Sequence, residues 1–101
     1  MVISVYITCK DITEAKRLAK HVLERRLAAC ANLIPIESLY WWDGEIVSDR
    51  EIALILKSDE KKYEKLKEEV KKLHSYTIPC ICKFAVEANK EYTDWITKEV
   101  R

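Results

Sequence analysis

The sequence predicts an α+β fold of the ferredoxin-like type, a βαββαβ plait followed by a third helix. Two observations predict it. Runs of β-forming residues and helical apolar stripes follow one another in the order strand, helix, strand, strand, helix, strand, helix. The central strands are joined by Asp43-Gly44, which favours a two-residue type I′ turn because both residues reach positive φ at little cost. With 101 residues and no linker or repeat, residues 1–101 are expected to form one domain.

The first strand and the first helix have clear boundaries in the sequence. Val2–Cys9 is a short β-rich run. Asp11 is the predicted N-cap of the helix, and Glu14 lies three residues later, where it completes a capping box. Apolar residues then recur at helical spacing to about Arg26. These residues are Ile12, Ala15, Leu18, Ala19, Val22 and Leu23.

The long hairpin is the most informative feature of the chain. Its predicted arms, Ala29–Trp42 and Glu45–Ser58, would each extend about 45 Å, whereas a domain of this size has a radius of gyration of about 13 Å. Pro35 is expected to break the first arm and to place it at a sheet edge or a bulge. Because Trp41 and Trp42 lie at the projecting tip, the hairpin predicts an oligomer.

The second half of the chain completes the plait. Ser58-Asp59 is predicted to cap the second helix, whose apolar stripe is Tyr63, Leu66, Val70 and Leu73. Ile78–Val86 is the fourth strand, and Asn89 caps a terminal helix. Right-handed crossovers place the first two helices on one face of the sheet. The other face needs a cover, which either neighbouring subunits or the terminal helix would supply.

Charge and glycine content exclude several functions. The chain has 18 basic and 17 acidic residues, which gives no basic footprint for nucleic acid. Gly44 is the only glycine, so the chain lacks the glycine-rich loop that cradles phosphates. The first residues carry no basic segment and no small-residue cleavage site, and they are too few to cross a bilayer. We expect a cytoplasmic protein that does not insert into membranes.

Four cysteines lie in or beside strand-like runs, which is not the pattern of a disulfide scaffold. Cys80 and Cys82 share one face of the fourth strand, which runs beside the strand that holds Cys9. Convergence of these three thiols would favour monovalent copper or zinc. The alternative is that they are small core hydrophobes, and we prefer it because unligated cysteine is usually buried.

Four segments carry a family resemblance. They are Glu24–Asn32 (ERRLAACAN), Tyr40–Gly44 (YWWDG), Leu56–Ser58 (LKS) and His74–Pro79 (HSYTIP). In this order they resemble the CutA family of divalent-cation tolerance proteins over nearly the whole chain. The resemblance implies a tight trimer of ferredoxin-like subunits whose hairpins clasp their neighbours, with an architecture similar to the PII signalling proteins. The family is associated with tolerance to copper and other divalent metals, and its pattern usually has proline where this chain has Ser75.

The resemblance also implies candidate metal ligands. His74 matches a family position linked to copper binding, although a capping or interface histidine is the alternative. Ile7 lies where the family has a cysteine, and Cys9, two residues later on the same side of the strand, is a possible substitute.

Three polar residues match positions that the family tends to keep. Glu51, Lys57 and Tyr76 would line a cleft between subunits and bind a small polar ligand there. The alternative is an interfacial ion pair that fixes the register of the subunits. Trp41, Trp42 and Trp95 are interpreted as interface and core anchors.

The sequence therefore predicts a non-enzymatic cytoplasmic homotrimer that binds copper or another divalent cation and contributes to metal tolerance. The alternative is a PII-like signalling trimer that binds a small metabolite in clefts between its subunits. Neither interpretation includes a nucleic-acid partner.

Overall fold

Four antiparallel strands and three helices form the plait that the sequence predicts. A computed structural model describes every residue, Met1–Arg101. The elements are β1 (Val2–Cys9), α1 (Ile12–Glu24), β2 (Cys30–Trp42), β3 (Glu45–Asp59), α2 (Tyr63–Leu73), β4 (Ile81–Ala85) and α3 (Lys90–Glu99). The strands lie in the order β2-β3-β1-β4, and every neighbouring pair is antiparallel. The predicted fold class is confirmed. None of the helices combines the length and the apolar character needed to cross a bilayer.

Helix α1 ends two residues before the predicted Arg26. Arg26 adopts φ 60°, a left-handed conformation that terminates helices. Its N–H donates to the Leu23 carbonyl at 3.0 Å, and the Leu27 N–H donates to the Val22 carbonyl at 2.9 Å. These two bonds satisfy carbonyls that a helix end leaves free, so the chain turns sharply into β2.

The hairpin has the predicted turn. Asp43 and Gly44 have φ of 50° and 79°, as a type I′ turn requires. The prediction that Pro35 breaks the first arm was wrong, because β2 runs through Pro35, which pairs with Ile52 in an unbroken register. The edge placement of Pro35 is confirmed. Since β2 is an outer strand, a residue without an N–H is tolerated there.

Strand β4 begins at Ile81, three residues later than the predicted Ile78. Continuing its register along β1 would place Cys80 opposite Thr8 and Pro79 opposite Cys9. Pro79 has no N–H to donate to a ladder. The Thr8 carbonyl is already bonded to the ring of His74 at 2.8 Å. Residues 74–80 therefore form a loop that passes over the end of β1.

The two faces of the sheet are covered differently. Helices α1 and α2 cover one face, where alternate residues of β1 and β3 are fully buried in the main core. Helix α3 covers only one end of the other face, where Ile96 and Val100 pack on Val2. Of the two predicted covers, neighbouring subunits or the terminal helix, the helix covers that end alone. We call the remainder, which includes Phe84 with 57% of its surface exposed, the open face.

Candidate metal centre and adjoining groove

Three potential metal ligands meet at the C-terminal end of β1. One ligand atom from each of Cys9, Glu14 and His74 lies within 4.8 Å of the other two. Cys9 is the last residue of β1, Glu14 lies in the first turn of α1, and His74 directly follows α2. Cys9 and Glu14 are buried, and His74 is half-buried. The sequence predicted Cys9 and His74 as ligands but assigned Glu14 only to a helix cap.

Glu14 is held by backbone groups on two sides. Its Oε1 accepts the N–H of Lys10 at 3.0 Å, and its Oε2 accepts the N–H of Ser75 at 2.9 Å. Asp11 Oδ1 accepts the N–H of Glu14 at 2.8 Å, so the capping box forms with its return bond at Lys10, one residue before the cap. Burial alone would raise the pKa of Glu14. The bonds from Ser75 and Lys10 outweigh burial and lower that pKa, so the carboxylate is ionised.

His74 has a defined tautomer. Its Nε2 lies 2.8 Å from the Thr8 carbonyl, which only accepts, so Nε2 carries the proton. Its Nδ1 accepts the N–H of Tyr76 at 3.1 Å and is therefore unprotonated. Metal-binding histidines usually have one ring nitrogen fixed by a carbonyl or a carboxylate in this way. Nδ1 is consequently the ring atom with a lone pair to offer.

The Cys9 thiol is protonated in this setting. Burial, and then the negative charges of Glu14, Glu51 and Asp11, raise its pKa to about 12. A cation bound beside the thiol would oppose both effects and favour the thiolate. The electrostatic surroundings of Cys9 therefore suit a cation.

The donor set fits a divalent cation after a small closure. One sulfur, one nitrogen and one oxygen suit zinc and divalent copper. Metal–ligand bonds of about 2.0–2.3 Å in a tetrahedral site place donor atoms about 3.3–3.8 Å apart. The trio, spread over as much as 4.8 Å, would contract by about 1 Å. Ligation through Nδ1 of His74 would exchange the Tyr76 amide bond for a metal bond, so it involves the loop of residues 74–80.

A groove of about 680 Å³ adjoins the trio. It lies between the hairpin and the loop of residues 74–80. The lining residues are Thr8, Ser38, Tyr40, Trp41, Trp42, Glu51, Ser75, Tyr76, Thr77, Ile78 and Cys80. The Tyr76 hydroxyl donates to Glu51 Oε2 at 2.6 Å, and Glu51 is only 8% exposed. Burial, and then the hydrogen bond and charge of Glu51, raise the pKa of Tyr76 well above its ordinary value.

The predicted cleft residues do not all meet. Glu51 and Tyr76 are in contact, but Lys57 lies six residues further along β3, about 20 Å away. The Lys57 Nζ donates to Asn32 Oδ1 at 2.9 Å. The groove therefore has a carboxylate and a phenol but does not contain Lys57.

The groove and the trio share one loop. The rings of His74 and Tyr76 lie 4.8 Å apart between centroids, and the Tyr76 amide is the group that Nδ1 accepts. His74 is therefore in direct contact with Tyr76, a residue of the groove wall.

The expected convergence of three thiols does not occur. Cys9 points into the helix-covered core, whereas Cys82 pairs with Tyr6 on the opposite side of the sheet. The core interpretation is confirmed for Cys9 but is wrong for Cys82, which is exposed, and for Cys80, which is half-buried. The Sγ atoms of Cys80 and Cys82 lie 3.7 Å apart.

Fold and site together define a ferredoxin-like α+β protein with a mixed sulfur, nitrogen and oxygen donor cluster at one end of its sheet. The family model of the CutA1 divalent ion tolerance protein matches residues 3–99. The chain belongs to the CutA1 family, and the resemblance of its four motifs is confirmed.

Relatives named as divalent-cation tolerance proteins align with nearly the whole chain. The divalent-cation tolerance protein CutA of Archaeoglobus fulgidus is 46% identical over 97 residues, 95% of each chain. Its counterpart in Pyrococcus horikoshii is 41% identical over 100 residues, 98% of each chain. The solved structure of the periplasmic divalent cation tolerance protein CutA from A. fulgidus covers 100% of both chains with a TM-score of 0.97 and 45% identity. The backbone arrangement is therefore shared with solved CutA structures.

Proposed function

We propose that this chain binds a divalent cation, copper foremost, at Cys9, Glu14 and His74, and contributes to metal tolerance as a non-enzymatic cytoplasmic homotrimer. The observation that carries the proposal is the meeting of three different donor types within 4.8 Å at the end of β1. The family to which the chain belongs is named for divalent ion tolerance.

Copper is favoured by the chemistry of the donors. For a given set of nitrogen, oxygen and sulfur ligands, divalent copper binds more tightly than the other divalent first-row ions. The half-buried imidazole supplies the nitrogen, and its outer hydrogen bond to the Thr8 carbonyl would orient it toward the ion.

The homotrimer is supported by the hairpin tip, which is apolar on both sides. Leu39, Trp41 and Ile46 are 73%, 72% and 62% exposed on one side, and Trp42 is 47% exposed on the other. A soluble monomer rarely exposes such a contiguous patch. A closed ring of copies would cover both sides of every tip without leaving an open end.

The cytoplasmic location is supported by four cysteines without a disulfide, which is typical of a reducing compartment. The A. fulgidus relative of known structure is described as periplasmic. Fractionation of the source cells would distinguish the two compartments.

The metal site is tested with the two histidines of the chain. We expect His74→Ala to abolish high-affinity binding of Cu²⁺ in calorimetric titration, because it removes the nitrogen ligand. His21→Ala is the matched control, since His21 bonds Glu69 between the helices and is far from the donor trio in the fold. Binding by the wild type should weaken on acidification, because a protonated imidazole has no lone pair to donate.

Light scattering should show the same oligomer for both variants. If His74→Ala binds Cu²⁺ as tightly as His21→Ala does, His74 is not a ligand and the proposed site is wrong.

A further inference from the structure

The thiols of Cys80 and Cys82 form a pair that the candidate metal centre does not use. The alternation of β4 places Cys82 on the open face, and Cys80 directly precedes β4 and lines the groove; their Sγ atoms are 3.7 Å apart. Two metal–sulfur bonds of about 2.3 Å place the sulfur atoms about 3.8 Å apart at a tetrahedral angle and about 4.6 Å apart in a linear arrangement. The two thiols therefore need to separate by no more than about 1 Å to hold one ion between them.

A disulfide is the other use of two neighbouring cysteines. It would require the two Sγ atoms, which are 3.7 Å apart, to close to about 2.05 Å. Chelation needs no such approach, because the metal ion fills the gap between the sulfur atoms.

The pair differs from the first site in its chemistry and in its position on the sheet. Cys9 lies on the helix-covered side, whereas Cys82 lies on the open side and Cys80 lies at the end of the loop that begins with His74. The first site mixes sulfur with nitrogen and oxygen. The second has two soft sulfur donors and no imidazole, a set that selects monovalent copper over hard divalent ions.

We propose that Cys80 and Cys82 chelate a monovalent copper ion on the open face of the sheet. Each thiol loses its proton to solvent as a copper–sulfur bond forms, and the copper stays monovalent, so no oxidant or reductant takes part. The site does not depend on binding of a divalent ion at His74.

The protonation state of the free pair predicts how binding depends on pH. Burial, and then the neighbouring Cys82 thiol, raise the pKa of Cys80 to about 11. The Cys80 thiol is therefore protonated near neutral pH when no metal is bound. Binding releases protons, so the affinity for monovalent copper should rise as the pH rises.

The test isolates the pair by removing the other two thiols. We expect Cys9→Ser/Cys30→Ser to retain one Cu⁺ per chain against a chromophoric Cu⁺ chelator under anaerobic, reducing conditions. The matched control is Cys80→Ser/Cys82→Ser, which keeps the same number of thiols at separate places. It should surrender all of its Cu⁺ to the chelator.

Because Cys9 is fully buried, a serine at this position can destabilise the fold. Cys9→Ala/Cys30→Ala is therefore a second variant that keeps only the Cys80 and Cys82 thiols, and circular dichroism shows which of the two variants is folded. In that variant, adding Cys82→Ser should abolish retention. The proposal is overturned if the folded variant with the intact pair surrenders its Cu⁺, or if the control retains as much. Titration of Cys80→Ser/Cys82→Ser with Cu²⁺ tests the His74 site separately, so failure of one site is distinguishable from failure of the other.

Discussion

At the scale of single residues, the bond between Tyr76 and Glu51 is the main polar contact of the groove. Glu51 lies on β3 with its side chain on the open face, and the loop of residues 74–80 brings the Tyr76 hydroxyl to 2.6 Å from it. A hydrogen bond to a charged acceptor is shorter and stronger than one between neutral groups. This bond therefore ties the loop to the hairpin.

Removing the Tyr76 hydroxyl should destabilise the protein. Tyr76→Phe leaves the buried Glu51 carboxylate without its donor, and we expect a loss of about 1–3 kcal/mol in the free energy of unfolding. Tyr40→Phe is the control, because the Tyr40 hydroxyl bonds Asp49 at 3.2 Å on an exposed surface and should cost less than about 0.5 kcal/mol. Urea denaturation measures both. Equal losses in the two variants would contradict the structural role of the Tyr76 bond.

The sequence predicted two of the three residues of the donor trio. Cys9 and His74 were predicted because they match, or lie close to, family positions, and the structure brings them together. Glu14 was read as a cap residue, and it is one, but its second oxygen bonds the Ser75 amide at a sequence separation of 61 residues. The signal was present, since a capping glutamate at the start of α1 lies at the same end of the sheet as Cys9.

At the scale of elements, a charge cluster joins α1 to α2. Glu69 on α2 has a side chain that is only 10% exposed, and it lies 2.9 Å from His21 and 3.7 Å from Arg25 on α1. Lys72 approaches its other oxygen at 2.8 Å. The bonds from Lys72, and then from His21, lower the pKa of Glu69 to about 2.

The Glu69 cluster should shape acid unfolding. Because the pKa of Glu69 in the folded state lies below its ordinary value of 4.5, the native state binds fewer protons than the unfolded state. The stabilisation is complete above about pH 4.5 and is lost as the pH falls toward about 2. In the wild type, the urea midpoint should fall as the pH falls through this range. In Glu69→Gln, we expect the midpoint to depend less on pH.

Glu64→Gln is the control for the same helix, because its side chain is 80% exposed and pairs only with Lys67 on the surface. Its midpoints should follow those of the wild type across the range. If the urea midpoint of Glu69→Gln depends on pH as strongly as that of the wild type, ionisation of Glu69 does not contribute to acid unfolding.

At the scale of the whole molecule, the hairpin sets the shape. The protein measures 45 × 25 × 21 Å, although its radius of gyration is 14.0 Å. None of the three helices covers the hairpin tip, and Trp41 and Trp42 are 72% and 47% exposed. Burial of each tryptophan against another copy would contribute up to a few kcal/mol.

Removing the tryptophans should therefore separate the subunits. We expect Trp41→Ser/Trp42→Ser to give monomers or aggregates in light scattering, together with a large fall in melting temperature. Ile12→Ser is the control, because Ile12 is 44% exposed on α1, away from the hairpin, and should leave assembly unchanged. If the tryptophan variant remains a soluble trimer with a melting temperature near that of the wild type, the hairpin tip does not hold neighbouring subunits together. Assembly would then depend on the open face and α3.

The sequence by itself determined the order and type of the elements, because these depend on local rules. The Asp43-Gly44 turn, the Asp11 cap and the apolar periodicities involve residues close together in the chain. The unbroken passage of β2 through Pro35 depended on whether the strand lies at the edge of the sheet, which is a property of the whole sheet.

Only the tertiary structure decided which distant groups meet. The start of β4 depends on the His74 ring, which takes the Thr8 carbonyl at a separation of 66 residues. The separation of Cys9 from Cys82 depends on the register between β1 and β4, because a strand presents alternate residues to opposite faces. The alternation of side chains gives each strand two faces. The packing of α1 and α2 determines which of these faces is buried in the core.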